Sequence, residues 1–367
     1  MKGKTCVVTG TTSGIGKETA VALAAAGAHV AIVCRTRDKG ARAMAEIRQR
    51  SGGEVSLFVA DFGSQRAVRA LAVRLAAALP RVDVLVNNAG LIMDERVLTE
   101  DGLETTFAVN HIGYFLLARL LEPKLCASAP ARVVNVASRA HRAGTIRFDD
   151  LMGARGYDGW TAYAQSKLAN IVFTYELARR LAGTGVTANC LHPGVVASNF
   201  GNAGPALIRL AVRIGRPFMR SSARGAETSI YLASSPEVEG VSGKYFVNRR
   251  EARSNDESYD SAVAARLWKV SEELTAASDV PWSRRRWPPT VASMSSSSAP
   301  ARPAPPSPGG SPVPASASCV WSRATGSTRA RIRTGAPTGS STGIPTGAPS
   351  RTCAGSLKTI RSTTRPP

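Results

Sequence analysis

The chain has 367 residues and a formal net charge of +21, with 47 Lys and Arg against 26 Asp and Glu. Twelve of the Lys and Arg residues, and no Asp or Glu, lie between Pro281 and Pro367, so the part before this tail carries only +9. No run of 18 apolar residues occurs, so neither a membrane-spanning helix nor a secretory leader is predicted, and six scattered cysteines without a Cys-x-x-Cys pair fit a reduced, cytoplasmic compartment rather than a disulfide framework.

Seven short apolar runs read as strands: Thr5–Val8, Val30–Cys34, Val55–Val59, Val82–Val86, Arg132–Val136, Val186–Leu191 and Lys244–Val247. Most are rich in Val and Ile and apolar on both faces, the pattern of a parallel sheet covered on both sides. Segments of helical period separate them, such as Val68, Leu71, Ala72, Leu75 and Leu79, or Leu168, Ile171, Val172, Tyr175 and Ala178. Repeated β-α units predict an α/β fold: a doubly wound parallel sheet of Rossmann type, about seven strands, with helices on both faces and its ligand at the carboxyl ends of the strands.

This domain is expected to fill residues 1–280, long enough for one substantial core. Residues 281–367, rich in Ser, Pro, Thr, Gly and Ala, cannot bury enough apolar surface to offset chain entropy, and are expected to form a low-complexity, basic, disordered tail. Three readings of the tail stay open: a basic arm in which Arg284–Arg286 touch polyanions, a neutral appendage, or the product of a shifted reading frame in GC-rich DNA. The four histidines, at 29, 111, 141 and 192, have no ligand spacing, so no metal site is predicted.

The first strand runs directly into Thr9-Gly10-Thr11-Thr12-Ser13-Gly14-Ile15-Gly16, which opens the first helix. Gly10, Gly14 and Gly16 permit a tight turn and let backbone N–H groups, with Thr12, Ser13 and Ile15, approach a pyrophosphate at the helix N-terminus. The second strand ends Cys34-Arg35-Thr36-Arg37. An acid there would bind a ribose 2′-hydroxyl. Arginines at 35 and 37 suit a 2′-phosphate instead, so NADP(H) is favoured over NAD(H), and Lys17 is expected to add to the same positive field. Asp61, with Phe62 beside it, closes the third strand; Asp61 either accepts from an adenine amine or caps the helix beginning near Ser64. Asn87-Asn88-Ala89-Gly90 follows the fourth strand, its small residues and amides suited to close packing against the adenosine ribose.

Tyr163 and Lys167 stand four residues apart on a predicted helix and so share a face. A buried lysine beside a tyrosine favours phenolate, which predicts a phenol pKa lowered from about 10 and a proton donor and acceptor usable near neutral pH.

Taken in order, Thr9–Gly16, Asn87–Gly90, Asn110, Ser138, Tyr163 with Lys167, and Pro193-Gly194 resemble the short-chain dehydrogenase/reductase family over residues 1 to about 280. Gly14-Ile15-Gly16-Lys17-Glu18-Thr19-Ala20, Ser166-Lys167-Leu168-Ala169-Asn170, His192-Pro193-Gly194-Val195-Val196 and Ala265-Arg266-Leu267-Trp268 resemble its retinol dehydrogenase branch, as does the long segment between Ser138 and Tyr163. The resemblance implies hydride transfer between a nicotinamide and a carbonyl or carbinol carbon. It implies that Tyr163 exchanges the proton, Ser138 holds the substrate oxygen, and Lys167 tunes the tyrosine and bonds the nicotinamide ribose. Asn110, on a helix spanning roughly 103–122, would support a water chain to Lys167. Pro193, Gly194, Val196 and Ser198 would face the carboxamide. Helices around 103–125 and 162–182 form a homodimer interface in relatives.

Residues 203–220, where the family has a lid over the substrate, interleave Leu207, Ile208, Leu210, Val212, Ile214 and Phe218 with Arg209, Arg213, Arg216 and Arg220. This is either a helix with one buried face or a cationic surface making weak membrane contact. The expected function is an NADP(H)-dependent oxidoreductase for an apolar aldehyde, ketone or alcohol. A protochlorophyllide reductase-like enzyme and a catalytically silent NADP(H)-binding sensor stand as alternatives, and no specific nucleic-acid role is predicted.

Overall fold

A computed structural model of the protein describes residues 1–194 and 221–276. The expected tail and the 203–220 segment lie outside them. The strands are β1 (Thr5–Thr9), β2 (His29–Cys34), β3 (Val55–Val59), β4 (Val84–Asn87), β5 (Ala131–Val136), β6 (Val186–His192), β7 (Tyr245–Val247) and β8 (Arg250–Glu251). They form one sheet in the order β3-β2-β1-β4-β5-β6-β7-β8. The first seven are parallel and β8 pairs antiparallel with β7. The sheet thus has eight strands rather than seven: a hairpin turn at Asn248 and Arg249, both at positive φ (53° and 64°), folds two further residues back onto β7.

Strand order reverses between β1 and β4, which opens a crevice at the carboxyl edge of the sheet. The apolar runs explain why both faces are covered. Within β1, Cys6 and Val8 pack on one side with Leu23 of α1 (Gly14–Ala25), whereas Val7 packs on the other with Leu71 and Leu75 of α3 (Gln65–Ala78) and Leu117 of α5 (Gly113–Ala127). Side chains two apart share a face and neighbours do not, so an uninterrupted apolar strand needs helices on both sides. α2 (Arg37–Ser51) lies against α1, and α7 (Ser222–Ser234) completes that layer. β4 begins at Val84, two residues later than expected, because Asp83 is drawn into polar work at the strand entrance, accepting from the Thr5 N–H (2.9 Å) and pairing with Lys4 and Arg81.

α6 (Gly159–Arg180) carries the Tyr/Lys pair. Asp158 caps it, accepting from the Thr161 N–H at 2.7 Å. Every residue from Tyr163 to Thr174 is buried, so the middle of this helix has no outer face in the single chain. Its far side is covered by α8 (Ser261–Ala276), whose Ala264, Leu267 and Leu274 join Leu168, Ala169 and Val172 in one apolar cluster. α8 is fixed by His111, whose Nε2 is 2.9 Å from Ser271 Oγ, and by Gln65 and Arg69, which donate to carbonyls of its last turn. Trp268 stacks under the Arg180 guanidinium at 4.1 Å. Among the described residues no helix is long and apolar enough to cross a membrane.

Candidate active site

The carboxyl edge of the sheet holds a cleft of about 480 Å³. Gly10, Thr12, Ser13, Gly14, Ile15, Arg35, Asp61, Phe62, Asn88, Ala89, Gly90, Ser138, Tyr163, Lys167, Pro193 and Gly194 all line it, so most of the residues singled out in the sequence share one wall. Gly16 and Asn110 stand just behind that wall, and Val196 and Ser198 lie outside the described residues.

At one end, Gly10 and Gly14 adopt φ of 71° and 64°, where an L side chain is strained. A Cβ on Gly16 would lie 2.4 Å from both Asn88 Nδ2 and Gly10 O. The reason is that Asn88 is stitched to the turn: its Nδ2 donates to Thr9 O (2.8 Å) and Gly10 O (3.1 Å), while Thr9 Oγ1 accepts from the N–H groups of Asn88 and Ala89. Ser13 at the N-cap of α1 makes no side-chain bond to the helix, so no cap occupies the first amides beside the cleft. A bare helix N-terminus behind a glycine cradle fits a pyrophosphate.

The basic corner differs in detail from expectation. Arg35 lines the cleft, and so does Lys39, four residues on, whereas Arg37 does not. Lys17 is committed elsewhere: its ammonium donates to both carboxylate oxygens of Glu46 at 2.7 and 2.8 Å, which cancels its contribution to the field. Of the two readings of Asp61, capping the next helix falls to Ser64, whose Oγ accepts from the Ala67 N–H. Asp61 Oδ1 instead accepts from Gly63 N–H at 2.8 Å, within the turn before it.

At the other end, Tyr163, only 8% exposed, shares a hydrogen bond with Ser138, which stands two residues past β5. Lys167 Nζ lies 5.7 Å from the Tyr163 ring centroid and donates to Val136 O at 3.1 Å. Asn110 sits in a π-helical turn, Ala108–Ile112, between α4 (Thr105–Phe107) and α5. The helix is therefore interrupted and shifted, from the expected 103–122 to 105–127, and such turns often mark functional positions. Asn110 Nδ2 donates to Leu91 O (2.9 Å) and Ser166 Oγ (3.0 Å), its Oδ1 accepts from Leu91 N–H (2.9 Å), and Ser166 Oγ donates to Tyr163 O (2.7 Å). A Cβ on Gly90 would come 3.1 Å from Asn110 Oδ1 and 3.5 Å from Lys167 Nζ, so the side-chain-free position lets the two groups converge.

The electrostatics correct one expectation. Burial pushes the Tyr163 hydroxyl up to about 12, although the bond to Ser138 opposes this, and burial pushes Lys167 down to about 7. Desolvation penalises both charged forms, and the ammonium spends a hydrogen bond on Val136 rather than on the phenol. Burial therefore favours the protonated phenol over the phenolate.

A switch-point crevice with a glycine cradle and cationic corner at one end, and a Ser–Tyr–Lys set at the other, defines a nicotinamide-dependent oxidoreductase of alcohols and carbonyls. Residues 4–204 match the family model described as short chain dehydrogenase, and the chain belongs to that family. It is 44% identical to human retinol dehydrogenase 14 over 291 residues, covering 75% of this chain and 87% of that protein. With mouse retinol dehydrogenase 12 the identity is 46% over 273 residues, covering 74% and 86%. Among solved structures it resembles Pseudomonas aeruginosa RhlG in its complex with NADP, at a TM-score of 0.55 and 28% identity, over 67% of this chain and 94% of that one.

Lys39 escaped the sequence reading, although its spacing from Arg35 places it one helical turn along the same corner. Leu91, which holds Asn110 through both backbone groups, had no signal beyond following the Asn-Asn-Ala-Gly run.

Proposed function

We propose that this protein is an NADP(H)-dependent oxidoreductase that interconverts apolar aldehydes or ketones and their alcohols, with Tyr163 as the group that exchanges the proton. The observation that carries the reading is the hydrogen-bonded Ser138–Tyr163 pair facing the same cleft as the glycine cradle. The nicotinamide, when bound, supplies or accepts the hydride. Ser138 Oγ and Tyr163 Oη converge on one point, where a carbonyl oxygen is held and polarised. Tyr163 Oη–H gives its proton to that oxygen in reduction and takes one back in oxidation. Lys167 and Asn110 keep α6, the Gly90 turn and the Tyr163 backbone in register, the latter through Ser166.

Arg35 and Lys39 support NADP(H) over NAD(H), since both cations line the cleft beside the end of β2 and residues 34–37 there include no acid that would repel a 2′-phosphate. The RhlG complex with NADP is consistent with this. An apolar substrate is supported by the names of the relatives and by Ile92, Ala140 and Ala164 packed around Tyr163, with Trp160, 44% exposed, 6.0 Å from its ring.

The test is a panel of decanal, all-trans-retinal and cyclohexanone, each with NADPH and with NADH. The expected result is NADPH-linked reduction of decanal and retinal. Tyr163→Phe is expected to bind NADPH as before and lose turnover about 10²- to 10⁴-fold. A full-rate Tyr163→Phe enzyme removes the tyrosine from its role, and a preference for NADH removes the phosphate corner.

A further inference from the structure

One peptide unit beside the cleft is gripped at both ends by imidazoles. The carbonyl oxygen of Ser138 accepts from His141 Nδ1 at 2.6 Å and from the His141 backbone N–H at 3.1 Å. The N–H of Arg139, the other end of the same peptide bond, donates to His192 Nδ1 at 3.1 Å. A carbonyl only accepts and a backbone N–H only donates, so the two rings carry opposite arrangements at the bonding nitrogen. His141 bears its proton on Nδ1, and His192 leaves Nδ1 bare.

Both rings are buried, and burial pushes His141 below the usual histidine range, so it stays neutral at neutral pH. The His141 ring packs edge-on against Tyr245 at 5.0 Å. Its carbonyl accepts from Asn255 Nδ2 at 3.1 Å, and the same amide donates to Gly144 O at 3.2 Å, so the stretch after β8 braces this turn from behind. His192 is the last residue of β6 and immediately precedes Pro193 and Gly194 of the cleft wall. The plane of the 138–139 peptide is thereby fixed from two elements remote in sequence. Ser138, in extended backbone at φ −153° and ψ 156°, follows that plane, and with it the direction in which Oγ leaves the chain.

We propose that His141 and His192 are positioning residues for the reaction, a two-imidazole clamp on the 138–139 peptide that holds Ser138 Oγ against the Tyr163 hydroxyl. The inference rests on the roles given above to Ser138 and Tyr163. Neither ring touches the reacting atoms; each acts through Ser138, where a displacement of about 1 Å is enough to cost roughly 10²-fold in rate.

His141→Phe keeps a ring against Tyr245 and removes the donor, while His141→Asn returns an N–H at the place of Nδ1. His192→Leu removes the acceptor, and His192→Asn returns one. Full-length variants are assayed with decanal and NADPH, separating kcat from KM, and NADPH affinity is read from fluorescence titration. His141→Phe and His192→Leu are expected to lower kcat about 10- to 100-fold with NADPH affinity unchanged, and both Asn variants to recover most of the loss. An unchanged kcat in both apolar variants overturns the clamp. So does an Asn variant as slow as its apolar counterpart, because the loss then belongs to ring packing. If one apolar variant fails to fold, the pair at the other histidine decides. Ser138→Ala separates the two levels: full activity there refutes the reading of the site itself, whereas a slow Ser138→Ala beside fast His141→Phe and His192→Leu refutes only the clamp.

Discussion

Replacing Gly16 by alanine adds a single methyl group to α1, and the structure allows its cost to be worked out. In an exposed helix the change would be favourable by about 1 kcal/mol, because alanine is the better helix former. Here the new Cβ would stand 2.4 Å from Gly10 O and 2.4 Å from Asn88 Nδ2. Gly10 is fixed by its own crowding against Ala89, where a Cβ would come within 2.7 Å of Cα, so the turn cannot simply retreat. Relief comes from moving Asn88, which forfeits its bonds to Thr9 O and Gly10 O, about 1 kcal/mol each. Overpacking adds about 1 to 3 kcal/mol. After subtracting the helix gain, Gly16→Ala is expected to destabilise the fold by about 2 to 4 kcal/mol, a Tm lower by roughly 5 to 15 °C for a domain of this size. Because the displaced groups form the cradle, NADPH affinity is expected to fall as well. Calorimetry and NADPH fluorescence titration read the two effects. An equal or higher Tm with unchanged affinity would refute the argument that the turn and the Asn88 strap are packed without slack.

Three further outcomes follow from the site. Arg35→Ala and Lys39→Ala should each raise the KM for NADPH about 10-fold and leave NADH kinetics alone, whereas Lys17→Ala, already neutralised by Glu46, should change neither; a selectivity loss only at Lys17 would reverse the assignment. Lys167, at about 7 when folded against an ordinary 10.5, binds its proton less tightly in the folded protein, so it opposes folding fully below pH 7 and progressively less up to 10.5. Lys167→Met should therefore stabilise the protein by about 2 to 4 kcal/mol at pH 7 after the lost bond to Val136, with the gain shrinking as pH rises toward 10; a gain independent of pH would contradict it. Because burial holds the Tyr163 phenol near 12, its ionisation should make no alkaline limb in the reduction rate between pH 7 and 10, and a pH–rate profile falling with a midpoint near 8 or 9 that Tyr163→Phe abolishes would sink this.

The sheet was legible because its strands are runs of β-branched residues that meet apolar surface on both sides, as Val7 does on one and Val8 on the other. The glycine turn was legible because its spacing follows a strand and opens a helix. Tyr163 and Lys167 were legible because a helix face repeats every four residues. What escaped depends on distant partners. The role of Lys17 is decided by Glu46, 29 residues away, and that of Asp61 by Ser64 filling the cap. The phenol was expected to be acidified because proximity to an ammonium was the only influence visible; burial, which acts on both groups, is set by the whole fold. The π-helical turn at Asn110 leaves no mark in an apolar helix, and the hairpin that adds β8 turns on Asn248 and Arg249 without a glycine to announce it.

The enclosure of α6 reaches beyond this one chain. Between Tyr163 and Thr174 the helix is covered by its own polypeptide, so a second copy meeting residues 162–182 would meet α8 and the exposed last turn at Arg179 and Arg180 rather than the middle of α6. The same wrapping leaves the cleft as the side from which Tyr163 and Lys167 are reached.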